Sequence, residues 1–271
     1  MTIPTGIGLR APHIAEVLAN RPALGFLEVH TENYFGGGAK LKQLEHLRAT
    51  YPVSFHGVGL SLGRADGLDQ DHLRQIATLV DRFEPFHVSE HLSWSAFGHT
   101  AVPDLLPLPF TAEALATTAR HIEQFQDAIG RPILIENPSS YLAFDGCDYD
   151  EPEFLSRLAD MTGCGILLDI NNIYVSAHNL GRDPLAYFKG LRAKGSVRQY
   201  HLAGHAASGD LLIDTHGARV CAEVWALYED ALGRFGDHAS LIEWDSDIPP
   251  LEVLLAEAAT ADRYREAAHV L

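Results

Sequence analysis

Basic residues are scarce in this chain: 20 lysines and arginines stand against 36 aspartates and glutamates, a formal charge of −16 over 271 residues. Binding to a phosphate backbone relies on clustered Lys and Arg, so this balance argues against a nucleic-acid partner. A local basic groove or bound metal cations would soften that exclusion. Cysteine is scarce as well. Cys147, Cys164 and Cys221 are an odd number with no CxxC spacing, which argues against a disulfide framework and a thiolate zinc site. Nothing near them predicts a lowered thiol pKa, so they are read as inert. No apolar run approaches the ~20 residues of a membrane span. The opening MTIPTGIGLR lacks the basic and apolar regions of a signal peptide. The expectation is a cytoplasmic protein with no membrane partner.

Histidine, by contrast, is plentiful at 15 residues, and the apolar fraction of 46% is ample for a core. Short apolar runs recur along the chain: GIGL (6–9), FLEVH (26–30), VSFHGV (53–58), FHVSEHL (86–92), PILIEN (132–137), GILLDIN (165–171), RQYHLAG (198–204) and SLIEW (240–244). Helical patterns lie between them. Leu73, Ile76, Ala77 and Val80 keep a helical period, as do Leu115, Ile122, Phe125 and Ile129, and then Val220, Val224, Leu227 and Ala231. Thr111 followed by Glu113 reads as an N-cap with an acidic first turn. Strands alternating with helices predict βαβ units and a parallel sheet. Eight such runs in a chain of this length predict the α/β class and a single (β/α)8 TIM barrel over residues 1–271. A doubly wound open sheet is the competitor, but the first strand lacks its G-x-G-x-x-G turn and no P-loop appears.

The ends of these runs are polar where a core should continue. LLDINNIYVSAHN (167–179) passes from Leu167 and Leu168 directly to Asp169, Asn171 and Asn172. The third run ends in His56, the fourth in Glu90 and His91, and the fifth in Glu136 and Asn137. The seventh carries His201 with His205 beyond it, IDTHG adds Asp214 and His216, and the eighth ends in Glu243 with Asp245 close behind. Barrel active sites lie at the C-terminal ends of the strands. Several carboxylates gathered there without compensation would be costly to bury, and cations are the natural remedy. Mixed imidazole and carboxylate donors suit iron, zinc or manganese. HTENYFGGG (30–38) holds His30, Glu32 and Asn33 above a glycine run and is read as an outer wall near the substrate.

The order His, His, Glu, Asp, His, Asp-x-His, Glu resembles that of endonuclease IV and other xylose-isomerase-like barrels. That resemblance implies three metals: one on His56, His91 and a bridging Glu136, a second sharing Glu136 with Asp169, His201 and Glu243, and a third on Asp214 and His216. Asn172 stands where endonuclease IV has a histidine, which makes it a weaker ligand of a neighbouring metal, and Asn171 is expected to fix ligand geometry.

The finer motifs FHGVGLSLG, SEHLSW, LLPLPFTAEAL, IENPSSYL, LLDINNIYVSAHN, YHLAGH, IDTHG and IEWDSDIP together resemble the multinuclear non-haem iron-dependent oxidative enzymes, from about residue 6 to about residue 250. Members commonly read Asn-His where this chain has Asn179 and Leu180, with His178 just upstream. The resemblance implies two to three iron ions, including a mixed-valent Fe(II)/Fe(III) pair, with O2 as co-substrate. It implies oxidation of cysteine in a ribosomally made precursor peptide, and a separate partner protein that binds the leader. Asn137, His205 and Asp245 are read as groups that orient ligands or transfer protons, with a purely structural hydrogen bond as the alternative for each. The competing functions are a metal-dependent hydrolase or isomerase on the same barrel, such as an endonuclease IV-like phosphodiesterase, and a non-catalytic metal store.

Overall fold

Alternation of apolar and polar residues gives each strand two different faces, and here both faces are buried. The computed structural model describes residues 4–98 and 100–269. Eight parallel strands close into a barrel: β1 (Gly6–Gly8), β2 (Leu27–His30), β3 (Val53–His56), β4 (Val88–His91), β7 (Leu134–Glu136), β8 (Gly165–Asp169), β9 (Val197–Leu202) and β12 (Ala239–Ile242). Around the ring the order is β1, β12, β9, β8, β7, β4, β3, β2. All eight apolar runs of the sequence are barrel strands, and the open-sheet alternative is excluded.

Helices occupy the intervals: α1 (Ile14–Asn20), α2 (Gly38–Arg48), α3 (Gln70–Phe83), α4 (Ala112–Ile129), α5 (Glu151–Thr162), α6 (Ile170–Leu180), α7 (Pro184–Gly190), α8 (Ala222–Phe235) and α9 (Leu251–Ala268). Their starts follow from local chemistry. The Thr111 hydroxyl accepts from the Ala114 amide at the head of α4, and the Asp69 carboxylate accepts from the Asp71 and His72 amides at the head of α3. Among the described residues no helix is long and apolar enough to cross a membrane.

Two antiparallel hairpins went unread in the sequence. Strands β5 (Trp94–Phe97) and β6 (Thr100–Leu106) follow β4, and β10 (Ala206–Ser208) and β11 (Leu211–Ile213) follow β9. Both grow from the end of the barrel where the strands finish, where loop length is unconstrained by the helix ring.

The hydrophobic core is a ring between strands and helices. Phe55 meets Phe83 of α3 with centroids 5.8 Å apart, and Tyr200 meets Tyr228 of α8 at 5.6 Å. Residues one step away on the same strands turn inward and are polar. Glu28, Ser54, Ser89 and Gln199 are buried in the barrel interior, with His56, His91, Glu136, Asp169, His201 and Glu243 above them.

Register lines up this upper layer. His30 pairs with His56, and His91 with Glu136. Between β8 and β9 the register slips, so that Ile166 faces Val197 but Leu167 faces Gln199, and Asp169 then faces His201. Without the extra residue Arg198, Asp169 would face Tyr200, whose ring belongs to the outer core. A one-residue slip reverses the faces of a strand, so this bulge is what puts His201 in the site.

Gly204, just past β9, sits against the loop that carries His216. A Cβ there would lie 2.3 Å from the Ala218 carbonyl oxygen and 2.4 Å from that of Arg219. Gly204→Ala should therefore lower stability by about 1–3 kcal/mol. Gly195→Ala, whose methyl would meet no atom within 4 Å, should stay within about 0.5 kcal/mol. Urea unfolding of the metal-free proteins measures both, and equal stabilities would contradict the close approach.

Candidate metal centre

Three ligand atoms at the mouth form a nearly equilateral triangle. His56 Nε2 and His91 Nε2 are 3.2 Å apart, and each is 3.2 Å from Glu136 Oε2. Donors about 2.1 Å from a common ion, at angles between octahedral and tetrahedral, lie about 3.0–3.4 Å apart. The triangle fits one metal. His56 Nδ1 donates to Ser89 Oγ at 2.8 Å, and that hydroxyl donates onward to the Phe55 carbonyl. This fixes the tautomer and leaves Nε2 with its lone pair. Burial drives the His56 pKa down to about 3, so the ring is neutral and ready to ligate.

Glu136 offers its other oxygen to a second group. Oε1 is 3.2 Å from His201 Nδ1, which is 2.9 Å from Glu243 Oε2, and Asp169 completes the set. His201 presents Nδ1 because its Nε2 faces Glu28 Oε1 at 2.9 Å, and Gln199 Nε2 donates to the other oxygen of Glu28 at 2.6 Å. The Asp169 carboxylate is divided in the same way. Oδ1 accepts from the Asn172 amide at 2.6 Å and caps α6, while Oδ2 faces the mouth.

Four buried atoms within these sets have no hydrogen-bond partner: Glu136 Oε2, Asp169 Oδ2, His201 Nδ1 and His91 Nδ1. Three of them are ligand atoms of the two clusters, and their close neighbours are other acceptors or misaligned donors. Buried ligand-type atoms left without partners and converging on one point suit a metal site, where a cation would take the place of the missing hydrogen bonds. The donors fit a divalent or trivalent transition metal.

Asp214 and His216 also meet at the mouth, with Asp214 Oδ1 2.8 Å from His216 Nε2. The same Nε2 is 3.4 Å from Asn172 Oδ1 and 3.7 Å from Asp169 Oδ2. His216 has a φ of +42°, a left-handed conformation that costs a non-glycine residue about 1–2 kcal/mol. The Asp245 amide donates to the His216 carbonyl at 2.7 Å and helps hold that conformation. Asn171 lies behind this pair. Its Nδ2 donates to Asp214 Oδ1 at 3.0 Å, and its Oδ1 accepts from His205 Nδ1 at 2.8 Å.

All nine residues expected as ligands, His56, His91, Glu136, Asp169, Asn172, His201, Asp214, His216 and Glu243, therefore gather at one rim. The three auxiliary residues divide. His205 stands one residue removed from the ligands, behind Asn171, with its ring 5.3 Å from that of Tyr174. Asn137 is engaged in both directions with the Asp169 backbone, at 3.0 and 2.9 Å, an arrangement that holds Asp169 in place. Asp245 is paired with Arg10, whose Nε donates to it at 2.9 Å.

Arg10 is the main residue that the sequence did not reveal. Its guanidinium also reaches Glu243 Oε1 at 3.2 Å and His30 Nε2 at 3.1 Å, in the space left by the missing side chain of Gly8. The group His30, Glu243 and Asp245 thus has an internal cation. His30 borders the site, whereas Glu32 turns to the Val58 and Gly59 amides. His178 bonds the Asp210 carbonyl at the surface, away from the ligands. Burial raises the Cys164 thiol to about 11, consistent with an inert residue.

Comparison with known proteins follows from this geometry. A profile of the family described as "RiPP precursor modification enzyme MbnB/TglH/ChrH" matches residues 4–266. UPF0276 proteins of Chromobacterium violaceum and Acaryochloris marina are each 49% identical, over 94% and 96% of this chain and 92% and 94% of theirs. Among solved structures, D-psicose 3-epimerase from Clostridium cellulolyticum H10 superposes with a TM-score of 0.62 at 10% identity, covering 98% of this chain and 99% of that one. A xylose isomerase-like TIM barrel protein from Mycobacterium smegmatis, in complex with magnesium, gives 0.61 at 12% identity with 98% of both chains covered. At such identity these two likenesses speak for the fold alone.

In the metal-free protein, burial opposes a charge on His91, but Glu136 and Glu90 outweigh it and carry its pKa to about 9. His201 is raised for the same kind of reason, with Glu28 the leading carboxylate. Metal must displace these protons, so affinity should rise with pH up to about 9, by about tenfold per unit for each proton released. The contribution of His91 to metal-free stability has the opposite sense: it is complete below its ordinary value of 6.5 and is lost as pH rises through about 9. Calorimetric titration with Mn(II) in buffers of different ionisation enthalpy checks the proton release. A pH-independent affinity would contradict it.

Proposed function

Since the chain belongs to the family of RiPP precursor modification enzymes, the multinuclear non-haem iron group whose motifs it shares, we propose that it is an iron- and O2-dependent enzyme that oxidises cysteine residues of a ribosomally made precursor peptide. The observation that carries this reading is the Glu136 carboxylate, with one oxygen in each of two buried ligand clusters. A carboxylate shared in this way suits a coupled pair of metals rather than two independent ions. The donors are imidazole and carboxylate with no protein thiolate, a set that accepts iron as well as zinc or manganese and leaves a sulfur ligand to come from the substrate; the family resemblance selects iron. Bound iron would supply a Lewis acid for that thiolate and the electrons that bring O2 into reaction. Reduction of one O2 to water takes four electrons, so a four-electron oxidation of the cysteine residue balances it.

The chain's own residues hold and orient. His56 and His91 provide two neutral donors beside Glu136, a set of three that leaves room for an external ligand. Ser89 and Glu28 set which ring nitrogen each histidine presents. Asn137 and the α6 N-terminus lock Asp169. Asn171 accepts the Nδ1 proton of His205, because its own amide is committed to Asp214, and so leaves His205 Nε2 free to take a proton from an approaching thiol. Asp214 and His216 would hold the third ion, nearer the solvent, where it bears on substrate placement. A separate leader-binding partner protein, which the family resemblance implies, belongs to this reading.

His201→Ala and Asp169→Ala should abolish product, because each removes an anchor of the metal that shares Glu136. Asp214→Ala should slow turnover or weaken peptide binding and still leave some product. The assay is mass spectrometry of a cysteine-containing precursor peptide encoded beside the enzyme, after anaerobic iron loading and exposure to O2. Normal peptide oxidation by the His201 or Asp169 variant would sink the assignment. A protein that retains only zinc and cleaves abasic DNA would establish the hydrolase instead.

A further inference from the structure

We propose that a second concavity, outside the barrel mouth, grips a lysine or arginine side chain of the precursor peptide while its cysteine occupies the metal site; the peptide's identity as substrate rests on the function proposed above. The cavity has a volume of about 470 Å3 and lies against one face of α6, formed by Ile173, Ser176, Ala177 and Leu180. Helical spacing puts Asn171, which serves the metal site, on the opposite face of the same helix. One helix therefore separates the two sites and borders both.

Most of the cavity wall is apolar, with Phe110, Tyr149 and Tyr187 contributing rings. Glu151, the first residue of α5, lines it and is only 7% exposed. Its Oε1 accepts from the Tyr187 hydroxyl at 2.9 Å, and among the described residues no other hydrogen bond or ion pair reaches the carboxylate. Burial raises its pKa to about 7, and the Tyr187 hydrogen bond, followed by the Arg182 guanidinium on the same wall, offsets only part of that. Asp150 and Asp183 also line the cavity, each accepting from an amide at the head of its own helix. Three carboxyl groups thus face one guanidinium.

That combination selects the ligand chemistry. An apolar ligand would cover the rings and leave the Glu151 carboxylate shut from water with the Tyr187 hydroxyl as its single hydrogen-bond partner among the described residues, which is costly. An anion would meet the carboxylates. A basic side chain answers both demands, since its methylene stem packs on the rings and its charged head reaches Glu151.

The loop between β7 and α5 connects this cavity to the metals. Asn137 at its start pins Asp169, and the Tyr141 hydroxyl accepts from the Asp214 amide at 2.8 Å. Leu142 and Phe144, further along, line the cavity. Tyr141, Leu142 and Phe144 are 44%, 50% and 42% exposed, an apolar ridge leading from the metal rim to the cavity. An extended chain with its cysteine at the metals and a basic residue in the cavity would lie along this ridge.

Two measurements test the inference. First, Nα-acetyl-lysine methylamide and its uncharged counterpart Nα-acetyl-norleucine methylamide are titrated into the metal-loaded protein by NMR. The lysine probe should bind at least about tenfold more tightly. Glu151→Gln, which keeps the shape and the Tyr187 partner, should remove the preference, and Ala143→Arg should block the lysine probe by placing a tethered cation at the exposed rim. Equal affinities in the wild type, or a preference that survives in Glu151→Gln, would overturn the cavity's role. Second, a cysteine peptide carries one lysine moved residue by residue. Its oxidation rate should peak at one separation in the wild type and lose that peak in Glu151→Gln, with the lysine-free peptide unaffected; a flat wild-type profile would overturn the role in peptide placement. If the wild type oxidises none of the peptides, the oxidative function fails, and the probe titration still decides the cavity.

Discussion

Carboxylates buried in the lumen of this barrel must be compensated, and the rest of the site is arranged around that demand. Glu28, Glu90, Glu136, Asp169 and Glu243 are each at most 3% exposed. An uncompensated buried ion costs several kcal/mol even after relaxation. The protein answers most of them with its own donors. Glu28 takes Gln199 and His201, Glu90 takes backbone amides of Leu60 and His91, and Glu243 takes Arg10. Glu136 and Asp169 each keep one oxygen without a hydrogen-bond donor. Of these five, Glu136 and Asp169 carry that deficit, and metal cations held by the ligand clusters would close it.

This arrangement depends on separating the apolar core from the chemistry. Because strand residues alternate, the outer faces can be as hydrophobic as any α/β core while the lumen stays polar. Phe55 and His56 are neighbours in sequence and belong to different layers. The bulge at Arg198 shows how finely the alternation must be tuned, since it exchanges Tyr200 for His201 opposite Asp169. The helix α6 makes the same division in its own period, with Asn171 toward the metals and Ile173, Ala177 and Leu180 toward the second cavity.

Much of the fold could be read from the sequence, because barrel strands are short apolar runs with turn signals on both sides. The side chains gathered at the mouth were legible for a related reason: a histidine or carboxylate at the end of such a run has no role in a core. The residues that support them left weaker traces. Glu28 sits within FLEVH and looks like a surface glutamate unless the two-residue period is followed back from His30. Arg10 looks like an ordinary solvated charge, and only the fold brings it to Asp245 and Glu243 from the other end of the chain. Asn137 carries the right residue type for proton-linked chemistry, but its cross-strand partner is a backbone, which no single-chain pattern displays. The hairpins were hidden because β6 and β10 are exposed and lack apolar alternation.

The central claim is that Glu136 joins two irons at the mouth of the barrel. Anomalous diffraction from crystals of the iron-loaded protein, measured on both sides of the iron absorption edge, tests it most directly. The account predicts one iron peak beside His56 and His91 and another beside His201, Asp169 and Glu243, on opposite oxygens of Glu136, with both lost in Glu136→Ala. A single iron bound away from Glu136, or two peaks that persist unchanged in Glu136→Ala, would contradict it.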